Sequence, residues 1–309
     1  MNAELGALLA TELATAAPEP VIELGARLAD PARDAAIFYY GSTLRTGDLS
    51  GILDFYRLTH RPHRRGLRGL VERLLWPEVS YHEVAIDGQV LRAKVATLPL
   101  ATFARAARNN TLDTTIWARF VQPTQLVWTD GPASRDAATA AVAEAVMTAA
   151  RFSAALGPPE GPPEAYWTAL FRRTYAAEFR VEDGGRADQV MSAAARRYAA
   201  LLPIAWRAAG VAFEDDGRTL RPQKHGLPNW TLPNLVGKPL NLARLAKAAF
   251  TFEGAARYAA WKIERHTGVA LAVTPFRERH PILAAPGVLW RLRRAQAEAR
   301  RGRLSSPNS

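Results

Sequence analysis

The chain contains no cysteine, so disulfides and thiolate-ligated metal centres are excluded, and any metal must be held by oxygen or imidazole. Acidic residues are also in short supply: 29 Asp and Glu stand against 40 Lys and Arg, for a formal net charge of +11. No apolar run approaches the roughly 18 to 20 residues that a spanning helix needs. The first residues lack a basic segment followed by an apolar one, so no secretory leader is expected. These absences fit a reducing compartment and a protein lying on a cytoplasmic membrane face or free beside it. With 309 residues and 48% hydrophobic content, the chain can form one large domain or two ordinary ones, and two are expected.

The positive charge implies an anionic partner: nucleic acid, an acidic membrane surface or phosphorylated substrates. It is unevenly spread. From Arg257 to the C-terminus there are eleven Lys or Arg against three Glu.

Chemistry is expected in IFYYGSTLRTGDLSGILDFYRLT, from Ile37 to Thr59. Here an apolar run ends in Gly41-Ser42, a polar loop follows, and a second apolar run carries Asp54 in its middle. Strand, Gly-Ser turn and acid-bearing strand form the arrangement used to move nucleotidyl groups. Glycine lets the backbone approach a triphosphate, serine bonds its oxygens, and the acid holds a divalent cation. A plain turn before a strand reads the same way.

Before this stretch, Ala3 to Arg27 reads as two helices broken at Pro18 and Pro20, covering a sheet. After it comes a basic loop holding His60, His63, Arg64 and Arg65, then a helix from about Gly66 to Leu75. The loop could meet phosphates or simply be a solvated surface. VSYHEVAI and QVLRAKVATL, joined by Asp87-Gly88, predict a β-hairpin. Alternation puts Lys94 opposite Ala93 and Val95, where it needs solvent or an anion. Glu83 is the acid best placed to join Asp54 on a metal, or else it faces solvent. LATFARAA predicts a helix, and TTIWARFVQPTQLVW is rich in β-formers. Arg119 would then be a sheet-edge arginine that grips phosphate or an ordinary surface residue, with Gln122 nearby.

Residues 134–156 predict an Ala-rich helix, and GPPEGPP is the clearest linker. The second half reads as mainly helical: EAYWTALFRRTYAAEFRVE and DQVMSAAARRYAALLPIAWRAAG each predict a helix, an irregular Pro-rich stretch runs from about Phe213 to Leu240, and LARLAKAAFTFEGAARYAAWKIERHTG returns to helix with an interruption near Gly254. The final segment mixes apolar residues with dense arginine. It is either a basic amphipathic helix on a membrane surface or a docked helix with a solvated basic face.

YYGSTLRTG, ILDFYRL, LRAKVATLPL, WARFVQPTQLVW and TYAAEFRVE resemble, in order and rough spacing over residues 35 to 182, the mitochondrial translocator assembly and maintenance family, the peripheral CDP-diacylglycerol synthases, and especially its bacterial relatives. The resemblance implies an α+β fold. A polymerase-β-type nucleotidyltransferase domain would span residues 1–156, a helical, winged-helix-like domain 164–270, and a basic C-terminal membrane-surface segment 271–309.

The implied activity is Mg²⁺-dependent cytidylyl transfer, from CTP and phosphatidate to CDP-diacylglycerol and pyrophosphate, at an anionic membrane surface rather than on nucleic acid. Carried over, Gly41 and Ser42 hold the triphosphate, Asp54 holds the metal, and Lys94 and Arg119 bind phosphates. Glu178 and Arg180 line the inter-domain side of the cleft. The chain departs from the pattern in three places. Tyr56 stands where polymerase-β-type enzymes carry a second acid, Gln122 stands for a lysine, and Glu178 stands for an aspartate. Transfer to another acceptor, and a catalytically silent membrane- or nucleic-acid-binding relative, are the alternatives.

Overall fold

The computed structural model describes residues 2–61, 66–109, 113–177, 186–268 and 272–279. In chain order the first half comprises α1 (Ala3–Leu13), α2 (Glu19–Leu28), β1 (Asp34–Tyr40), α3 (Ser42–Thr46), β2 (Ile52–Thr59), α4 (Gly66–Leu74), β3 (Glu78–Ile86), β4 (Gln89–Pro99), α5 (Leu100–Ala107), α6 (Thr115–Phe120), β5 (Thr124–Thr129) and α7 (Pro132–Leu156). The second half comprises α8 (Pro163–Ala177), α9 (Arg186–Ala193), α10 (Ala195–Ala208), β6 (Phe213–Asp215), β7 (Leu220–Pro222), α11 (Thr231–Thr251), α12 (Ala255–Thr267) and α13 (Pro275–Arg279). The architecture is α+β, as the sequence predicts.

Five strands form one mixed sheet in the order β3-β4-β2-β1-β5, with β2 and β4 parallel and the other neighbours antiparallel. The parallel pair needs a crossover, which α4 and β3 supply. The β3–β4 turn is the expected Asp87-Gly88, both with positive φ, the geometry that matches the strands' own twist.

β1 lies between β2 and β5, and all seven of its residues are buried, which explains its unbroken apolar run. One face of the sheet, bearing Phe38, Tyr40, Tyr56 and Leu58, packs under α1, α5, α6 and α7. The opposite face, bearing Ile37, Tyr39, Phe55 and Val95, is covered by Val21, Leu24 and Leu28 of α2. The first two helices thus cover a sheet, but on opposite faces.

The central support is α7. Its buried Ala138, Ala141, Ala145, Ala149 and Ala150 let neighbouring helices approach closely while alanine keeps helix propensity high. At its end Gly157 turns the chain so tightly that a Cβ there would lie 2.3 Å from the Tyr166 ring. The GPPEGPP stretch is therefore a sharp corner within one core. A single buried cluster runs from the sheet through α7 to Trp167, Leu170, Tyr198 and Trp206, and the Trp206 indole donates to the Ala150 carbonyl at 2.9 Å.

Three stretches differ from the sequence-based expectation. TTIWARF, rich in β-formers, is the helix α6. The Asp113 carboxylate accepts from the Thr115 N–H (3.0 Å) and hydroxyl (2.6 Å), and Ile116, Trp117 and Phe120 are buried, Trp117 stacking on Phe152 of α7. The Pro-rich region from Phe213 to Leu240 contains the β6–β7 hairpin and the start of α11. Pro233 falls in the first turn of that helix, where no N–H partner is lost, and Pro239 is carried in its interior. The stretch from Asp188 to Ala209, expected as one helix, breaks at Ala194.

Of the C-terminal segment 271–309, only 272–279 lies within the described residues. No helix among the described residues is long and apolar enough to cross a membrane.

Candidate functional site

The backbone makes a corner at the end of β1. Tyr40 pairs with Asp54 across the β1–β2 ladder, so Gly41, the next residue, lies against the Asp54 side chain. Gly41 has φ +99°, and a Cβ there would sit 2.8 Å from Asp54 Oδ2. Both facts demand glycine, one through backbone conformation and one through space. Ser42 opens the short α3 on the exposed side of the corner.

Across the parallel ladder, Asp54 is in register with Lys94. Side chains in register share a sheet face, so Tyr40, Asp54 and Lys94 project on the same side. Lys94 is opposite Ala93 and Val95, as alternation predicts, and those two belong to the other core. Asp54 and Lys94 are both partly buried.

Arg119 reaches this face from α6. This corrects the expected sheet-edge position, because the helix carries the arginine over the sheet. Its guanidinium lies 5.3 Å from the Tyr40 ring centroid and 5.9 Å from that of Tyr56, and it donates to the Tyr40 hydroxyl at 3.1 Å. Burial pushes the Tyr40 hydroxyl far above its ordinary pKa. Arg119 pulls the other way and Asp54 adds to the rise. Tyr56, at the position of the expected second acid, is 1% exposed and packs edge-on against Phe120 and beside Tyr40. That position belongs to the aromatic core beneath Arg119.

Glu83 shares the face, since it pairs with Arg92, which is in register with Ile52. β4 separates its strand from that of Asp54, placing the two acids' strands about 10 Å apart. The Glu83 carboxylate accepts from the Tyr81 hydroxyl at 2.9 Å and lies 3.5 Å from Arg92. Gln122, just beyond α6, donates its side-chain amide to the Ala118 carbonyl, one turn back on that helix. Glu178 and Arg180 lie outside the described residues, as do His63, Arg64 and Arg65. His60 is bound to Asp130 at 2.6 Å, away from this cleft.

The helix α12, expected after an interruption at Gly254, takes a place at the site that the sequence does not announce. Its N-terminal approach pairs with β3 through the Tyr81 N–H to Glu253 carbonyl bond (2.9 Å), and Gly254 presses so closely on Tyr81 that a Cβ would meet the Tyr81 carbonyl oxygen at 2.7 Å. Tyr258 packs edge-on against Tyr81, Trp261 lies under Arg92, and Arg265 donates to the Ser50 carbonyl at 3.0 Å in the loop preceding β2. α12 therefore covers the β3–β4 half of the face, while α5 to α7 cover the Tyr56–Leu58 half. Asp54 and Lys94 lie at the seam between them. The signal in the sequence is the spacing of Tyr258, Trp261, Lys262 and Arg265, an aromatic-cationic stripe on one helix face.

Among the described residues no group of three or more His, Asp or Glu side chains gathers as a ready-made metal cage. Mg²⁺ ordinarily uses one or two carboxylates and takes its other ligands from water and substrate phosphates, so a single carboxylate at the glycine corner fits that donor pattern. Compared with known proteins, the sequence matches no family model and no curated protein.

Proposed function

We propose that this chain is a nucleotidyltransferase whose site is the seam around Asp54. The observation that carries the reading is the meeting of Gly41, Asp54 and Lys94 on adjacent strands, with Arg119 stacked over the neighbouring tyrosines. A close-approach glycine, one carboxylate and two cations suit a bound nucleoside triphosphate better than they suit a structural core, which has little use for charge there. The arrangement of α8, α9 and α10 followed by the β6–β7 hairpin supports a winged-helix-like second part, and Gly161 adds a bridge to Leu220 beside that hairpin.

The particular reaction is cytidylyl transfer to phosphatidate. A phosphatidate phosphate oxygen attacks the α-phosphorus of CTP in line. The new P–O bond forms as the α–β bridging bond breaks, and pyrophosphate leaves with the electron pair. No covalent enzyme intermediate is required, so the protein's work is to position two anions and offset charge. Gly41 and Ser42 receive the triphosphate, and Lys94 and Arg119 bind the phosphates that would otherwise repel each other. Asp54 would hold Mg²⁺, which would supply Lewis-acid charge there when bound. Glu83, tied to Arg92 and Tyr81, steadies the β3–β4 wall from two strands away. The basic balance of the chain suits two anionic substrates, one of them in a bilayer.

Purified protein with labelled CTP, Mg²⁺ and phosphatidate vesicles should yield a lipid-extractable labelled product, lost in Asp54→Ala. Replacing phosphatidate with RNA or small phosphate esters tests other acceptors. If no nucleotide with Mg²⁺ raises the melting temperature and no acceptor becomes labelled, the reading fails.

A further inference from the structure

The longest helix among the described residues of the second half, α11, is held firmly on one side and exposes apolar side chains on the other. On the held side Arg244 pairs with Asp113 at 2.9 Å and lies 4.4 Å from the Trp76 ring centroid, Lys247 donates to the Leu75 carbonyl at 2.8 Å, and Gly237 abuts the end of α8 at Ala177. These contacts fix the rotation of the helix and so fix what it presents outward. The outward arc, roughly 140° at about 100° per residue, carries Leu232, Leu235, Leu242, Leu245 and Phe250. Leu235 is 71% and Phe250 82% exposed, values that exclude a role for these side chains in the core. Lys238 is the only charge on the arc.

Charge narrows the choice of partner. α11 contains no Asp or Glu; Arg244 and Lys247 are engaged on the held side, and Arg221 in the preceding hairpin is answered by Glu160 and Glu214, so the cation that α11 offers outward is Lys238. A second copy laid on this face in two-fold fashion would bring Lys238 toward its own counterpart on a helix that has no acid to answer it. An anionic bilayer answers both features, taking the leucines and Phe250 into its acyl boundary and Lys238 at its headgroups.

We propose that the outward face of α11 is a membrane-docking surface for anionic lipid. The inference deepens the reading above and rests on it for a lipid as acceptor, but it assigns the surface to a rigid helix within the folded body. It thereby adds a second contact to the basic C-terminal segment expected from the sequence.

The test is flotation of the full chain, without nucleotide, on vesicles of phosphatidylcholine with phosphatidylglycerol and on phosphatidylcholine alone. The wild type should float with the anionic vesicles only. Leu235→Glu/Leu242→Glu should reduce the bound fraction by about tenfold or more, since two apolar anchors are lost and two like charges added. Val90→Glu, at the exposed hairpin end, should float as wild type. As a readout independent of those variants, the tryptophan emission of Phe250→Trp should shift to the blue on anionic vesicles. The proposal is overturned if the double variant floats as wild type, if the Phe250→Trp emission does not move, or if the wild type sediments as a dimer that the glutamates separate. Because no nucleotide is present, failure of cytidylyl transfer would sink the chemistry and leave this result to stand by its own outcome.

Discussion

The Asp54 carboxylate occupies the space that a side chain at Gly41 would need, and the two residues therefore constrain each other. Replacing Gly41 by alanine adds a methyl group 2.8 Å from Oδ2 and forces a non-glycine residue to φ +99°. Gly41→Ala should destabilise by about 1–3 kcal/mol, read as a lowered urea midpoint. In the background of Asp54→Ala part of that cost should vanish, because the carboxylate contact is gone while the backbone strain remains. A double-mutant cycle separates the two.

Tyr56 shows why restoring a second acid would fail. The ring fills a buried site against Phe120 and Tyr40 and lies beneath Arg119. Tyr56→Asp removes that aromatic packing and buries a carboxylate, and should cost about 3–5 kcal/mol or abolish folding. Tyr56→Phe, which keeps the ring, should cost far less than Tyr56→Asp. An increase in nucleotidyl transfer in Tyr56→Asp would contradict this picture.

Arg244 and Asp113 form an ion pair in which the side chains are only 12% and 7% exposed. Removing one partner strands the other's charge, so Arg244→Met, which leaves Asp113 in place with its bonds to Thr115, should lose about 3–5 kcal/mol. Hydrogen exchange should locate the weakening in α11 amides, since this pair and Lys247 hold the helix to the sheet domain.

His82 sets a pH dependence. Burial lowers its pKa from the ordinary 6.5, with nearby Arg57 and Arg257 acting in the same direction and Glu253 opposing. Between the lowered folded value and 6.5 the unfolded chain binds more protons, so this contribution to stability is complete above about pH 6.5 and is lost as pH falls below it. His82→Gln should flatten the fall in urea midpoint between pH 7 and the mildly acidic range. An unchanged slope would show that other groups carry it.

Local chemistry made much of the fold legible. Asp87-Gly88 announces its hairpin because the turn demands positive φ, and alternation alone puts Lys94 on the face away from Ala93 and Val95. The apolar runs of β1 and β2 mark strands, and alanine content marks α7 as a helix. α6 runs against its local pattern because β-branched and aromatic residues favour strands until burial against α7 and the Asp113 carboxylate favour the helix. Prolines hide the first turns of α11 for a related reason: its docking contacts are distant in sequence and compensate for what Pro239 removes.

At the candidate site, residue types and strand faces are legible from local order alone: a glycine before a serine, one acid on a strand, one lysine on another. Tertiary structure decided which of them meet. Parallel pairing of β2 with β4 sets Asp54 beside Lys94, and sheet order separates Glu83 from Asp54 by a strand although periodicity gives them a common face. The approach of α6 and α12 from opposite sides leaves Asp54 and Lys94 at the seam. Periodicity is a property of neighbouring residues, whereas register and packing bring together residues as far apart as Ser50 and Arg265, which no local pattern can encode.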